Sequence, residues 1–303
     1  MKQTIGVAGY LILLCLHSCS SSSSDQARSF TSGSSIIIAD ESFAPIVEDE
    51  LFVFKKSYPD AEINVKYRPE IQLLNAFLND SGQVAVMSRR LTVEERKIYE
   101  NKNIVVRVNR FAVDGIALVT HKTTVDSNIA VDELVDVMKG NKGNIQNLVF
   151  DNANSSTVRY LKEISGVKDL PKTGIYALKS NSEVIKFVHN NPGSIGVIGV
   201  NWMKGASDKE TRTYISNLKT MGVKNSAGKK GSDDYYYPDQ NSLALGLYAL
   251  TRELFIINCE GGPGPGAGFA SFIAGERGQR IVLKSGLLPD KIPSREIIIR
   301  SKL

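Results

Sequence analysis

Cysteine, histidine and tryptophan are scarce in this 303-residue sequence, which holds three cysteines, three histidines and one tryptophan. Cys15 and Cys19 lie in the first twenty residues, so the body of the chain contains only Cys259, and an internal disulfide is excluded there. With His121 and His189 as the only histidines beyond that region, no hydrolase set of nucleophile, base and acid is recognisable, and no metal cluster either. We therefore expect no enzyme, no cofactor and no metal, and we interpret Cys259 as a buried structural thiol.

Dense blocks of one charge are also absent. The chain has 37 basic and 32 acidic residues, and its net charge of +5 is spread along the sequence. This distribution argues against a nucleic-acid surface. A hydrophobic content of 42% is ordinary for a globular protein, and the length is sufficient for two modest cores.

The N-terminus has the pattern of an export signal. Lys2 precedes an apolar run from Ile5 to Leu16, and His17, Ser18 and Cys19 follow before five consecutive serines. The run is shorter than the roughly 20 residues that span a bilayer. We therefore predict a signal peptide at residues 1–18, lipidation of Cys19, palmitate included, and a flexible tether at residues 19–34. The protein would then be a periplasmic lipoprotein of the cell envelope; an uncleaved anchor and ordinary secretion are the alternatives.

From residue 35 onward, short β-rich runs alternate with helical patterns, which is typical of an α/β fold with mostly parallel sheets. The predicted strands are Ile36–Ala39, Glu62–Tyr67, Gln83–Met87, Ile104–Val108, Gly115–Val119, Asn147–Phe150, Ile195–Gly199 and Leu254–Ile257. The predicted helices are Pro45–Lys56, Pro69–Leu78, Val93–Tyr99, Val131–Met138, two beginning near Ser156 and Ser182, and Phe269–Lys284. The last segment is too short to form a separate domain. We expect two lobes joined by two crossing strands, with residues 35–112 and 241–303 in lobe I and 113–240 in lobe II.

Two predicted helices begin in a way that suits an anion. Ser42 follows a strand and precedes Pro45 at one helix start, and Asn154 to Thr157 place three hydroxyls at another. Helix N-termini offer unpaired N–H groups and a partial positive charge. Each start alone is more often an ordinary cap, but one in each lobe favours an anion site between the lobes.

Arg89 lies at the end of a predicted strand, just before the capping box that Thr92 and Glu95 form. Its planar donors can clamp an oxyanion. The alternative is a surface arginine paired with a neighbouring acid, and the sequence leaves both open.

Several segments, taken in order between Ile36 and Pro289, resemble the phosphate-binding proteins of bacterial ABC import systems. They are Ala39–Phe43, Asn154–Thr157, Pro192–Val197, Gly278–Gln279 and Ser285–Pro289. The resemblance implies a type II periplasmic-binding-protein fold that binds inorganic phosphate or a related oxyanion and delivers it to a membrane ABC permease. It implies ligand contacts from Ser42, Phe43, Ser155, Ser156 and Thr157, and a monomer.

The sequence departs from the family at two charged positions. Arg89 stands where relatives have an aspartate that accepts the phosphate proton, and Asp151 stands where they have an arginine. Our hypothesis is an exchange, in which Arg89 is the clamp and Asp151 the proton acceptor. If both instead drifted, the chain is a sensory or interaction lipoprotein that keeps the fold without transport. Glu70 occupies the region of another family contact, and its backbone amide can still face the cleft.

Overall fold

The computed structural model describes residues 28–141 and 145–293. The predicted signal peptide, Cys19 and the first part of the tether lie outside the described residues. Within these two ranges, no helix is both long and apolar enough to cross a bilayer.

The first third of the described chain builds most of lobe I as alternating strands and helices. Its elements are β1 Gly33–Asp40, a 3-10 turn Glu41–Phe43, α1 Ala44–Ser57, β2 Ala61–Arg68, α2 Glu70–Leu78, β3 Val84–Met87 and α3 Val93–Glu100. The long strand β4, Arg107–His121, then leads out of this lobe.

The strands and helices of lobe II are mostly shorter than those of lobe I, but they follow the same alternation. It contains β5 Asn128–Ala130, α4 Val131–Met138, β6 Asn147–Phe150, α5 Ser156–Ser165, β7 Ile175–Ala177, α6 Asn181–Asn190, β8 Ser194–Gly199, α7 Trp202–Gly205, α8 Lys209–Ile215, β9 Leu218–Thr220, β10 Gly222–Lys224 and α9 Gln240–Ala244. The chain returns to lobe I through β11 Thr251–Asn258, α10 Pro265–Ala274, α11 Glu276–Lys284 and β12 Leu288–Pro289.

Of the twelve strands in the described residues, ten form one continuous sheet that runs through both lobes, and β5 and β10 form a separate parallel pair. The main order of the large sheet is β2-β1-β3-β11-β4-β8-β6-β7, with β9 and β12 also paired to β4. Pairs within each lobe, such as β1 with β2 and β6 with β8, are parallel, whereas β4 and β11 are antiparallel to their neighbours. Residues 107–115 of β4 pair with β11 in lobe I, and residues 116–119 pair with β8 in lobe II. This confirms a two-lobed α/β fold with crossing strands.

Strand alternation divides the core of lobe I between the two faces of its sheet. Along β1, Ile37 packs on the side of Phe54 and Phe269, and Ile38 packs on the opposite side with Leu73 and Met87. Successive strand residues point to opposite faces, so a strand covered by helices on both sides must be apolar throughout. The buried apolar run from residue 37 to 39 meets that requirement.

Two sequence predictions need correction. The end of the strand predicted at Ile104–Val108 and all of the strand predicted at Gly115–Val119 belong to the single strand β4, which begins at Arg107, and residues 104–106 are not in a strand. Asn109, Arg110 and Asp114 interrupt the apolar pattern between the two predicted segments, although the strand continues. The helix predicted at Phe269–Lys284 is two helices that break at Gly275, whose backbone is extended. The second helix packs tightly on the first, because a Cβ at Gly278 would lie 2.5 Å from the Cα of Ile273.

Candidate functional site

Two helix starts, one from each lobe, meet at the boundary between the lobes. Ser42 lies in the 3-10 turn that precedes α1, and Ser156 is the first residue of α5. Both side chains are fully buried, and their hydroxyl oxygens are 3.5 Å apart. The structure therefore brings together the two starts that the sequence singled out as places for an anion.

The start of α5 is held by its own hydroxyls. Ser155 is the N-cap, and its Oγ accepts a hydrogen bond of 3.4 Å from the amide of Val158. The hydroxyls of Ser155 and Thr157 are 2.8 Å apart. Gly166 ends the helix in the left-handed conformation at φ 69°, which glycine adopts without strain. The helix is thus fixed at both ends, and its first turn faces lobe I.

Asp151, which follows β6, links the two starts. Its carboxylate accepts hydrogen bonds from Thr157 Oγ1 at 2.8 Å, from Asn181 Nδ2 at 3.2 Å and, across the lobe boundary, from Ser42 Oγ at 3.4 Å. The carboxyl group of Glu41 in lobe I lies close enough to Asp151 for the two groups to interact electrostatically. Partial burial raises the pKa of Glu41 to about 7, with the negative charge of Asp151 acting in the same direction.

Asp40 is a second carboxyl beneath the junction. It caps the 3-10 turn by accepting a 2.9 Å hydrogen bond from the amide of Ser42. The side chain is fully buried, and this burial raises its pKa to about 7, although the positive charge of Arg252 opposes the shift. Near neutral pH this carboxyl is therefore partly protonated.

Arg252 on β11 is the buried cation of the site. Its Nε donates to Asp114 Oδ2 on β4 at 2.9 Å, and its Nη1 donates to Ser156 Oγ at 2.7 Å. The guanidinium also lies 4.5 Å from the ring centroid of Phe43, in cation–π contact. Because β4 and β11 both lie at the lobe boundary, Arg252 contacts the hinge region, lobe I and lobe II at once.

A second ion pair joins the lobes at the side of the cleft. Glu70 begins α2 and is 4% exposed; its carboxylate accepts from Arg159 Nε and, at 3.1 Å, from Arg159 Nη2. Ser88 Oγ donates to the same carboxylate at 3.0 Å. Beside them, the amide of Ile71 donates to the carbonyl of Asn154 at 3.2 Å. Side-chain and backbone contacts thus hold the lobes together here.

Arg89 does not take part in this network of contacts. Both terminal nitrogens of its guanidinium donate to the carboxylate of Glu95 at 2.8 Å, and Nη1 also donates to the carbonyl of Arg90. Glu95 in turn caps α3 together with Thr92. This geometry matches the alternative that the sequence left open, an arginine paired with a neighbouring acid.

The structure therefore assembles most of the predicted set. Ser42, Asp151, Ser155, Ser156 and Thr157 form one hydrogen-bonded group; Phe43 joins it through Arg252, and Glu70 lies in the neighbouring ion pair.

The sequence missed Asp40, Arg159 and Arg252. A charged residue at the buried end of a predicted strand was the only signal for Asp40. Arg252 gives no local signal, because its partners Asp114 and Ser156 are 138 and 96 residues away in the chain.

A sequence model of the PBP superfamily domain matches residues 24–277 of the chain. Among curated proteins, the phosphate-binding protein PstS of Borreliella burgdorferi is 22% identical over 309 residues, covering 95% of this chain and 99% of the relative. The PstS of Staphylococcus epidermidis is 25% identical over 227 residues, covering 70% of this chain and 65% of the relative.

Solved structures share the fold. A phosphate ABC transporter substrate-binding protein from Clostridium perfringens, determined with bound phosphate, superimposes with a TM-score of 0.68 at 21% identity, covering 86% of this chain and all of that one. An ABC-type phosphate transport receptor from Vibrio cholerae gives a TM-score of 0.61 at 18% identity, covering 85% and 100%.

Proposed function

The chain belongs to the PBP superfamily, and on that premise we propose that it is a non-catalytic solute-binding protein that captures inorganic phosphate, or a related oxyanion, for ABC-type import. The observation that carries the proposal is the junction of Ser42 and Ser156, where two buried helix starts from different lobes face each other at 3.5 Å. Relatives and structural neighbours that are named for phosphate support this ligand.

The chemistry of the junction suits a small oxyanion. The hydroxyls of Ser42, Ser155, Ser156 and Thr157 supply hydrogen bonds, and the amides of the first helical turns add donors without a counter-charge. Arg252 supplies a positive charge that pairs with an anion more strongly in a buried site than in water. We include Phe43, Asp151, Glu70 and Arg89 in the proposed site as the sequence assigned them.

Capture requires a hinge movement. The hydroxyl oxygens of Ser42 and Ser156 are 3.5 Å apart, so an anion that lies between the two hydroxyls requires them to separate. We propose that the lobes open about β4 and β11, close on the anion, and present the closed form to a membrane permease. The protein would act as a monomer.

We also propose that the chain is exported and anchored. Its N-terminal pattern supports cleavage before Cys19 and attachment of lipid, palmitate included, to that cysteine, which would place the protein in the periplasm at a membrane surface. Replacement of Cys19 by alanine should then release the protein from the membrane fraction and abolish its labelling by radioactive palmitate.

One observation favours a second candidate, an interaction or sensory lipoprotein without transport. The cleft surfaces bind each other directly, through Glu70 with Arg159 and Ser42 with Asp151. A protein that closes on itself in this way can present a fixed surface to a partner protein.

Calorimetric titration distinguishes the two candidates. The protein is purified in mild detergent, freed of bound anion by partial unfolding and refolding, and titrated with phosphate, sulfate and molybdate. Saturable phosphate binding at micromolar level or tighter supports the solute-binding protein. No heat with any of the three anions contradicts it and favours the interaction lipoprotein.

A further inference from the structure

The chain just before β1 is folded into a tight turn, residues 28–32, which we call the strap. The amide of Ser29 donates to the carbonyl of Ser32 at 3.1 Å, and the hydroxyl oxygens of these two residues are 2.8 Å apart. Gly33 then begins β1 at φ 93°, a backbone conformation that glycine adopts without strain. The strap therefore has a defined shape before the sheet of lobe I begins.

The strap lies directly on α10. A Cβ at Gly268 would lie 1.8 Å from the carbonyl oxygen of Phe30 and 2.7 Å from its carbonyl carbon. Phe30 also lines a hollow of about 310 Å³ together with Phe54 and Tyr58. Because the backbone of the strap occupies the space that a side chain at position 268 would need, the strap is packed on the body of lobe I.

Glu260 joins the strap to lobe I through an ion pair. Its side chain is 3% exposed, and its carboxylate accepts hydrogen bonds from Ser35 Oγ at 2.6 Å and from the amide of Ala267 in α10 at 2.7 Å. Arg28 Nη2 donates to the same carboxylate at 3.4 Å. Arg28 is thus paired with a carboxylate that β1 and α10 already hold in place.

The strap lies at the end of lobe I that is farthest from the cleft, which we call the basal end. β1 runs for eight residues, about 25 Å, from Gly33 beside the strap to Asp40 beneath the Ser42–Ser156 junction. β4 begins at the basal end, where Arg107 pairs with Asn258 of β11, and its fifteen residues extend about 45 Å into lobe II. Lobe II therefore lies on the side of the cleft opposite the strap.

A short tether separates the strap from the predicted lipid anchor. Eight residues, 20–27, lie between Cys19 and Arg28, and a fully extended chain of that length spans only about 30 Å. The basal end can therefore lie no farther than that from a bilayer that holds the lipid on Cys19. Lobe II is connected to the anchor only through lobe I.

We propose that the basal end of lobe I faces the lipid bilayer, that the docked strap maintains this orientation, and that lobe II is the lobe that moves when the cleft opens. The inference rests on the proposed anchoring through Cys19 and goes beyond it, because it states which surface of the folded protein lies toward the membrane. A detached strap would add five residues to the tether and extend its reach to about 45 Å, so the orientation would be lost.

The first experiment compares how close the two lobes lie to the bilayer. The amide of Gly33 donates to the carbonyl of Asp60 at 3.0 Å, which places the end of α1, with the exposed Lys56, at the basal end. The exposed Val125 follows β4 in lobe II. A fluorescent donor is attached to Lys56→Cys or to Val125→Cys, and the buried Cys259 should take up no label.

The labelled, lipidated proteins are placed in phosphatidylcholine vesicles that carry rhodamine-labelled lipid. Energy transfer to the lipid should be at least about twofold stronger from position 56 than from position 125, because the length of β4 separates the two ends of the molecule. Equal transfer from the two positions would overturn the proposed orientation.

The second experiment releases the strap from α10. Gly268→Ala places a methyl group where the backbone of Phe30 lies, while alanine suits the interior of a helix better than glycine does. Arg28 is the first trypsin site after Cys19, and cleavage there frees the folded body from the vesicles with Ser29 at its N-terminus. Because proteases cut locally unfolded segments, the variant should be released about tenfold faster than the wild type.

Gly261→Ala is the matched control, because a Cβ at that position, in the loop before α10, meets nothing within 4 Å. Its release by trypsin should be within about twofold of the wild-type rate. Equal release rates for Gly268→Ala and Gly261→Ala would overturn the role of the strap. If Gly268→Ala does not fold, the energy-transfer comparison, which leaves the strap intact, decides the orientation.

The outcomes separate this inference from the anchoring on which it rests. If Cys19→Ala stays in the membrane fraction, the proposed anchoring fails and the inference fails with it. If Cys19→Ala is released but the labels at positions 56 and 125 transfer energy equally in the lipidated protein, the anchoring stands and only the inference is overturned.

Discussion

Buried carboxyl groups occur in two different settings in lobe I and its hinge. At the floor of the cleft, Asp114 and Asp40 are fully buried but lie beside Arg252. Behind the sheet, Glu50 is equally buried on the apolar face of α1, and neither of its oxygens has a partner among the described residues. Burial raises the pKa of all three groups.

The two settings differ in whether a nearby positive charge opposes the rise in pKa. Arg252 opposes it for Asp114 and for Asp40, whose pKa is about 7, whereas the pKa of Glu50 rises to about 9. Burial thus leaves Asp114 in an ion pair with Arg252 at the floor of the cleft, whereas in the core it favours the neutral form of Glu50.

The largest effect is expected at Asp114 on the floor of the cleft, where its carboxylate pairs with Arg252. Asp114→Asn leaves the guanidinium of Arg252 buried without its counter-charge, and should lower the free energy of unfolding by about 3–5 kcal/mol. Urea unfolding followed by the fluorescence of Trp202, the single tryptophan, measures it.

The control is Asp290→Asn, which removes one of the two acidic partners of a 42% exposed arginine, Arg110. It should cost less than about 1 kcal/mol. Equal losses of unfolding free energy in the Asp114→Asn and Asp290→Asn variants would contradict the expected difference between the buried and the exposed ion pair.

At Glu50, replacing the carboxyl group should raise the free energy of unfolding rather than lower it. Its raised pKa means that the folded state holds an extra proton between about pH 4.5 and about pH 9, so wild-type stability is lost as pH rises through that range. Glu50→Gln removes this dependence and should stabilise the protein by about 1–3 kcal/mol at pH 8, with little change at pH 5. Thermal and urea unfolding at both pH values measure it.

Glu48→Gln, on the exposed side of the same helix, is the control and should change stability by less than about 0.5 kcal/mol. A destabilised Glu50→Gln at pH 8 would mean that Glu50 has a partner.

A smaller pH effect is expected at Asp40. Its folded-state pKa of about 7, against an ordinary 3.8, implies that wild-type stability falls between about pH 4 and pH 7. In anion-free buffer, Asp40→Asn should flatten this fall by about 1–2 kcal/mol. A carboxyl NMR titration of the wild type should show Asp40 ionising near pH 7, and ionisation near pH 4 would refute the assignment.

The smallest effect concerns the partly exposed ion pair across the cleft. Glu70→Gln weakens the contact with Arg159 and should shift the lobes toward the open form by about 1 kcal/mol. Small-angle scattering would show a larger radius of gyration without ligand. Glu163→Gln is the control, because Glu163 pairs with Arg159 within α5 and cannot bridge the lobes. A similar expansion in both variants would mean that the bridge does not hold the lobes closed.

The sequence predicted what local patterns determine. Apolar runs located β6 and β8, and the serine and threonine cluster located the start of α5. It failed where a distant residue decides the outcome. Arg252 is opposite Asp114 only through the register of β11 on β4, and no spacing within either strand reveals that pairing.

Arg89 shows a different limit of prediction from sequence, because its partner Glu95 lies nearby in the chain. Glu95 was recognised as part of a capping box, and the same carboxylate also binds Arg89. In this structure Glu95 engages the guanidinium of Arg89, and a contact between Arg89 and an anion stays a prediction.

The position of β11 in the sheet also has a consequence for how the chain folds. β11 lies between β3 and β4, so the sheet of lobe I cannot be completed until residues 251–258 have been synthesised. The principal strands of lobe II, in contrast, all lie between residues 107 and 199. Early strands that wait for a late partner are slow to pair and remain unfolded longer. We therefore expect lobe I to stay unfolded until the chain is nearly complete, with lobe II forming first.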